Sequence, residues 1–427
     1  MTVEDRLRAT TEALSSALRE VRPLTLPPER PGRVSRPREP RRRPGWVVPL
    51  AAAVAVIAVA VSLVAVRDSR GASPAPPAPV TNSAAAVPRY YVELGAYTSA
   101  NVQRDAIVGD SRTGKLLATI KPAAHLTFEG VTGTADGRSF VIDAIPVTED
   151  SQAKDAPAGP HTWYLVRLAP GTSHPVTLTR LPVAALAGSY QIGGLALSAN
   201  AGTLAILYQT GVRNGSPGTL VLQTFSLSTG KTLRTWTAAA QGRIARPAPS
   251  SDNHWDLTWT ADGRTLAFAA PAYPSYARTL NVTRSGANLL ADSRAVLAIR
   301  GDKPYDCQSP LLASNGQAIV CGTLANGPGA CRQQWPEFQL YSTATGKLIR
   351  VVYQYRPSTC TSATAMLVWA GPDGTAIGVL QVQVFDSRYI NSNKIDITVG
   401  LLTPGSFTPL HLSVPDNGGF DPGSLAF

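Results

Sequence analysis

From residue 89 onward, short apolar runs alternate with turn-forming strings, and two kinds of string recur. The first reads TADGRSFVID at 134–143, SANAGTLAIL at 198–207, TADGRTLAFA at 260–269, ASNGQAIVCG at 313–322 and GPDGTAIGVL at 371–380. In each, an apolar run ends, an Asp-Gly or Asn-Gly type of turn follows, and a second apolar run begins. These dipeptides are the strongest short-range hairpin signals. The second kind centres on Gly114, Gly171, Gly230, Gly286, Gly346 and Gly405, spaced 56 to 60 residues apart. Three of these lie in one string: RTGKLLATI at 112–120, STGKTLRTW at 228–236 and ATGKLIRVV at 344–352. Glycine supplies the positive φ that a tight turn needs.

A fixed period of this length marks copies of one supersecondary unit. Each copy reads as four strands: a, an Asp-Gly turn, b, a variable loop, c, a Thr-Gly-Lys turn, and d. The strands are short and no helical-period segment lies between them, which is the pattern of a β-propeller blade. There are six c–d turns and five a–b turns, and the chain ends account for the difference. DPGSLAF (421–427) matches a strand a, and RYYVEL (89–94) serves as its strand b. The expected fold is therefore all-β, a six-bladed propeller over residues 89–427 closed by pairing of the two ends, which removes the exposed sheet edges. A barrel or sandwich of eight strands would not require this period.

The N-terminal part follows other rules. Residues 1–45 hold eleven Arg against six Asp and Glu, in a chain of 427 residues with net charge +11. Val3, Leu7, Leu14, Leu18 and Val21 form an apolar stripe at helical spacing, so residues 2–22 are expected to form a short amphipathic helix. A basic, Pro-rich tether follows. From Trp46 to Val66 no residue is charged, and 21 residues at about 1.5 Å each match the roughly 30 Å hydrocarbon core. The arginines upstream favour a cytoplasmic N-terminus. The reading is a plasma-membrane, single-pass protein: cytoplasmic segment 1–45, transmembrane helix 46–66, Ala/Pro/Ser linker 67–88 and an extracytoplasmic propeller. The basic arm is thereby assigned to the membrane, and no nucleic acid is expected as a partner.

The turn strings S/T-x-D-G-x-x-L-A-F and T-G-K-x-L resemble those of WD-repeat and TolB-type propeller blades. Gly109–Asp110 and Tyr341–Ser342 stand where WD repeats carry their Trp-Asp pair. The whole layout, from the MTVEDRLRAT start through the Arg tract and Ala/Val anchor, is similar to single-pass membrane proteins of high-GC Gram-positive, actinobacterial type. Some of these are partners of extracytoplasmic-function sigma factors. The resemblance implies a cytoplasmic protein partner, such as a sigma factor, at residues 2–22.

Little in the propeller points to chemistry. The Thr-Gly-Lys strings lack the upstream glycine and following helix of a phosphate loop. There is no G-x-S-x-G elbow, and His125, His161, His174, His254 and His411 are scattered. No cofactor or metal is expected. In a propeller the d–a and b–c loops share one face and strand a lines the channel. On that basis His254, Trp255 and Asp256, ahead of one strand a, and Tyr305 and Asp306, ahead of the next, are the candidate binding residues. Trp259 reads as packing between blades.

All four cysteines follow the membrane segment, which suggests two disulfides. Three pairings are possible, and neighbouring hairpin strands favour Cys307–Cys321, leaving Cys331–Cys360. The favoured function is a non-enzymatic binding or sensing module for an unknown protein or small molecule on the propeller face. A hydrolase or lyase acting on a sugar or lactone, and a structural envelope scaffold, are the alternatives.

Overall fold

The structure, a computed structural model, describes residues 24–25, 87–95, 104–147, 160–169, 171–172, 175–184, 186, 190–210, 218–239, 257–269, 275–299, 307, 309–326, 334–356, 361–384, 394–412 and 424–427. The expected helix at 2–22 and the apolar stretch 46–66 lie outside these residues. Among the described residues no helix is long and apolar enough to cross a membrane.

The described strands build six sheets, each antiparallel throughout its blade. The first strand in the chain, β1, is Leu24–Thr25. Blade 1 is β5 (Leu126–Gly133), β6 (Ser139–Pro146), β7 (Thr162–Leu168) and β8 (Val176–Arg180). Blade 2 is β9 (Tyr190–Leu197), β10 (Thr203–Thr210), β11 (Thr219–Ser226) and β12 (Thr232–Ala239). Blade 3 is β13 (Thr258–Trp259), β14 (Thr265–Ala269), β15 (Ser275–Asn281) and β16 (Ser293–Ile299). Blade 4 is β17 (Ser309–Leu312), β18 (Ala318–Asn326), β19 (Gln334–Ser342) and β20 (Leu348–Gln354). Blade 5 is β21 (Thr361–Ala370), β22 (Ala376–Val384), β23 (Lys394–Thr403) and β24 (Ser406–Pro409).

Blade 6 joins the two ends of this sequence. Its strands are β2 (Tyr90–Leu94), β3 (Ala106–Asp110) and β4 (Leu116–Lys121), and its innermost strand is β25 (Leu425–Ala426). Val92 pairs with Ala426 and Glu93 with Leu425, so the ring closes as the strand count required. At the outer edge β1 runs parallel to β4, with Leu24 opposite Ile120 and Thr25 opposite Lys121. The tether expected over this stretch thus contributes a fifth strand.

The turn strings have a common physical basis. In the a–b turns, Gly137 N donates to Thr134 O and Gly263 N to Thr260 O. The Asp between them is an Asx cap: Thr260 Oγ1 donates to Asp262 Oδ1 at 2.5 Å, and Arg264 N to the same oxygen at 2.9 Å. These bonds hold the Asp262 carboxyl below its ordinary range. In the second blade Asn200 does the same work and Ala201 takes the positive φ, at 51°. One turn departs from expectation. Gly286 is not left-handed. Helix α1 (Leu289–Asp292), capped by Asn288, shapes that c–d connection, and a Cβ on Gly286 would lie 2.2 Å from Asp292 Oδ2.

The core is six seams rather than one centre. Alternate residues of each middle strand feed different seams. In β6, Phe140, Ile142 and Ala144 pack toward blade 6 while Val141 packs toward blade 2. Further seams join blade 2 to 3 around Trp236 and Phe268, blade 3 to 4 around Ala267 and Ile319, and blade 4 to 5 around Phe338 and Leu367. The last joins blade 5 to 6 through Tyr91, Trp369 and Phe427. Gly133 is needed here: a Cβ would lie 2.5 Å from Phe427 O, in the path of the closing segment.

Glu93 interrupts this pattern. It is 2% exposed and its Oε2 has no hydrogen-bond partner. Burial raises its carboxyl from 4.5 to about 8. The folded protein therefore keeps a proton that the unfolded chain has lost, and stability falls as pH rises from about 4.5 to about 8. The slope is at most about 1.4 kcal/mol per pH unit. Thermal unfolding of Glu93→Gln between pH 5 and pH 8 checks this: the variant should lose most of the decline that the parent protein shows.

Candidate functional site

The innermost strands of all six blades border a central channel with a cavity of about 240 Å³. Much of its wall is backbone, because Gly130, Gly133, Gly193 and Gly194 stand on β5 and β9. Three inner strands are also bulged. β5 and β6 slip register between Phe128 and Gly130, β9 against β10 at Gly193, and β21 against β22 between Leu367 and Trp369. The extra residues, Glu129, Gly193 and Val368, all border the cavity. A bulge re-aims a side chain out of the pleat, and in blade 1 the side chain re-aimed is a carboxylate.

Beside that bulge lies a buried polar pair. Asp143, on β6, pairs across the sheet with Gly130 on one side and Trp163 on the other. It borders the channel and is 1% exposed. His161, directly before β7, is 4% exposed, and its Nδ1 lies 2.6 Å and 2.8 Å from the two Asp143 oxygens. The imidazole stacks on Trp163 with centroids 5.7 Å apart. Burial pushes the Asp143 carboxyl above its ordinary range, and His161 opposes that rise. His161 itself borders a separate cavity of about 220 Å³, with Arg180 and Pro182. The pair thus links the channel to a space on the blade 1–blade 2 side. Such an arrangement orients an imidazole and fixes its tautomer.

The residues expected from sequence are a different set. His254, Trp255, Asp256, Tyr305 and Asp306 lie outside the described residues, as do Cys331 and Cys360. Trp259 packs at the blade 2–3 seam, donates Nε1–H to Ala196 O at 3.1 Å, and also borders the channel. Cys307 and Cys321 form a disulfide across 14 residues of sequence, buried at the blade 3–4 seam rather than in the channel. Closing a loop of this size contributes about 3 kcal/mol in the chain-entropy account. Sequence reasoning missed Glu129, Asp143 and His161. Asp143 closes the a–b string at 134–143, inside an apolar run that reads as scaffold, and only topology joins it to a histidine 18 residues on. Among the described residues no group of three or more His, Cys, Asp and Glu is placed to hold a metal ion.

Removing one member of a buried pair leaves the other uncompensated. Asp143→Leu and His161→Leu should each cost about 3–5 kcal/mol, and the double variant clearly less than their sum. Urea unfolding of the four proteins measures the coupling, and additive losses would contradict it.

No family model matches the chain, and no curated protein matches it in sequence. Solved structures share its architecture at a distance. TolB from Acinetobacter baumannii is similar over 79% of this chain and 66% of that one, at 11% identity and TM-score 0.40. The β-propeller domain of the Trilobed protease from Pyrococcus furiosus is similar over 75% of this chain and 81% of that one, at 10% identity and TM-score 0.38. A structure from a study of two prolyl endopeptidases matches 88% of this chain and 55% of that one, at 14% identity and TM-score 0.37. These likenesses are distant, and the assignment as an all-β six-bladed propeller rests on the chain's own strand pairing.

Proposed function

We propose that this propeller is a non-enzymatic binding module that takes its ligand in the central channel. The observation that carries this reading is the channel itself: a concave space walled by glycine backbone and apolar side chains with a few fixed polar groups, which is the character of a binding pocket. The Asp143–His161 couple supports a rival reading, acid–base chemistry on a small substrate. Against that rival, His161 borders a different cavity from the channel.

Leu195 borders the channel and is only half-buried, so Leu195→Trp fills the space from one wall. Screening the full chain against a small-molecule collection by thermal shift separates the readings. A binding module gives saturable stabilisation, about 2.7 kcal/mol at a hundredfold excess over Kd, that Leu195→Trp abolishes. Turnover of ester, glycoside or lactone substrates that His161→Leu abolishes would establish the enzyme instead.

The compartment reading is part of the proposal and rests on sequence. The charge-free stretch 46–66 would anchor the chain, with the propeller outside and a regulatory partner, a sigma factor being the kind implied by resemblance, at residues 2–22. A single crossing there separates residues 24–25 from β4, so the crossing and the β1–β4 pairing exclude each other in one chain. Membrane-impermeant thiol labelling of intact cells, with single cysteines placed at Ser35 or at Ser228, decides. The anchored reading predicts labelling at 228 alone, whereas labelling at both positions removes the crossing and leaves β1 in place.

A further inference from the structure

The apolar residues that the ring does not bury gather on one strand. Among the described residues four large apolar side chains are exposed, and three of them, Leu348, Ile349 and Val351, stand on β20 at 44–54% exposure. β20 is the outer strand of blade 4, and among the described strands it pairs with β19 alone. Scattered exposed apolar residues are ordinary, whereas a row of them on an edge strand is a template for another chain. The strip is also basic. Lys347, Arg350 and Arg356 are exposed along it, and Arg294 reaches it from blade 3, donating to Thr343 O at 2.9 Å. Glu337, the one carboxylate of β19 and β20, is buried. The exposed Asp373 stands beside Arg350, whose guanidinium donates to the Asp373 carbonyl at 2.9 Å.

Blade 6 shows what such an edge can take. Its outer strand β4 follows the same Thr-Gly-Lys string and carries the same bulge, with Leu117 the extra residue where β20 has Ile349. Beside Ile120 and Lys121 of β4 lies β1, an extended two-residue strand set between Pro23 and Pro27. The β20 counterpart of Ile120 is engaged, because Val352 O accepts from Gly405 N at 2.8 Å. The exposed stretch is therefore 348–351, which is longer than β1 itself.

We infer that this edge of blade 4 docks an extended, acidic segment of a partner protein, added as a fifth strand beside residues 348–351. The site is separate from the channel and does not depend on binding there. In strand addition the main chain supplies affinity and alternate side chains supply specificity. Apolar residues of the segment cover Leu348, Ile349 and Val351, and its carboxylates answer Lys347, Arg350 and Arg356. A second copy of β20 fits less well, since it brings the same cations to both sides. A lipid surface would cover the apolar row but leave the edge amides without hydrogen bonds.

Fluorescence anisotropy of the full chain with labelled peptides tests this. The probes are EDLTLDE, built on the Leu-Thr-Leu of residues 24–26, its basic counterpart KKLTLKK, and EDLTLDE methylated at alternate backbone nitrogens. The acidic peptide should bind at least about tenfold more tightly than the basic one, and the methylated peptide should not bind. The double variant Ile349→Ser/Val351→Ser should weaken the acidic peptide at least about tenfold and Arg350→Gln severalfold, whereas Leu233→Ser on blade 2 should change nothing. Thermal unfolding of these variants matching the parent shows that the loss is not one of folding. Equal binding of the acidic and basic peptides, binding that survives the double variant, equal binding of the methylated peptide, or no binding at all overturns the inference. So does a parent protein that dimerises, or that sediments with phosphatidylglycerol vesicles, through Ile349 and Val351 while ignoring the acidic peptide.

Discussion

Every sheet in a closed ring is sandwiched between two others, so every blade must be apolar on both faces. That requirement shapes the rest of the molecule. A strand with one solvated face alternates apolar and polar residues. Here the second strand of each blade is instead a nearly continuous apolar run, as in FVI of β6, LAIL of β10 and AIV of β18. Odd and even positions of such a run serve different seams, and the six seams are links in a closed chain of contacts. The link between blades 5 and 6 is made by residues from opposite ends of the propeller sequence, Tyr91 on one side and Leu425 and Phe427 on the other. Without it, both terminal blades would present an apolar face to water.

Polar groups inside the seams are therefore costly, and the two buried carboxylates meet that cost in different ways. Asp143 occupies a seam-facing position in β6 and is compensated by the Nδ1 of His161. Glu93 occupies a comparable position in β2 and is compensated by holding its proton, with its carboxyl raised to about 8. Asp143 stands in blade 1 and Glu93 in blade 6, the blade that closes the ring. Asp143 alone borders the channel, together with Glu129 on the neighbouring bulge. The channel's two carboxylates are thus concentrated on one arc of an otherwise largely apolar lumen, which gives the channel a direction as well as a volume.

The scaffold was legible because its signals are local. Each Asp-Gly string is a self-contained turn in which Asp262 or its equivalent caps the residues that follow it, and the period only counts such turns. Where the local signal weakened, the turn survived by substitution: Ala201 takes the strained conformation and Asn200 the cap. At Gly286 the same period concealed a different solution, because α1 supplies the turn and the glycine answers the approach of Asp292. The site was not legible, for the converse reason. Glu129 faces the lumen because of a bulge that no dipeptide announces. Asp143 meets His161 only because two antiparallel strands bring them together. Sequence points instead to the residues around Trp255 and Asp306, ahead of two strand-a strings, and these lie outside the described residues.

Closure is the claim on which the seams and the channel both depend, and backbone hydrogen exchange across the chain's last strand tests it most directly. In the closed ring β25 is the inner partner of β2, sealed by Tyr91 and Trp369. Amides in residues 424–427 should then exchange as slowly as those of β2 and β3, and be released only with global unfolding. Exchange of that segment at the rate of an unstructured peptide, with β2 still protected, would show that the ring is open and that the channel lacks one of its walls.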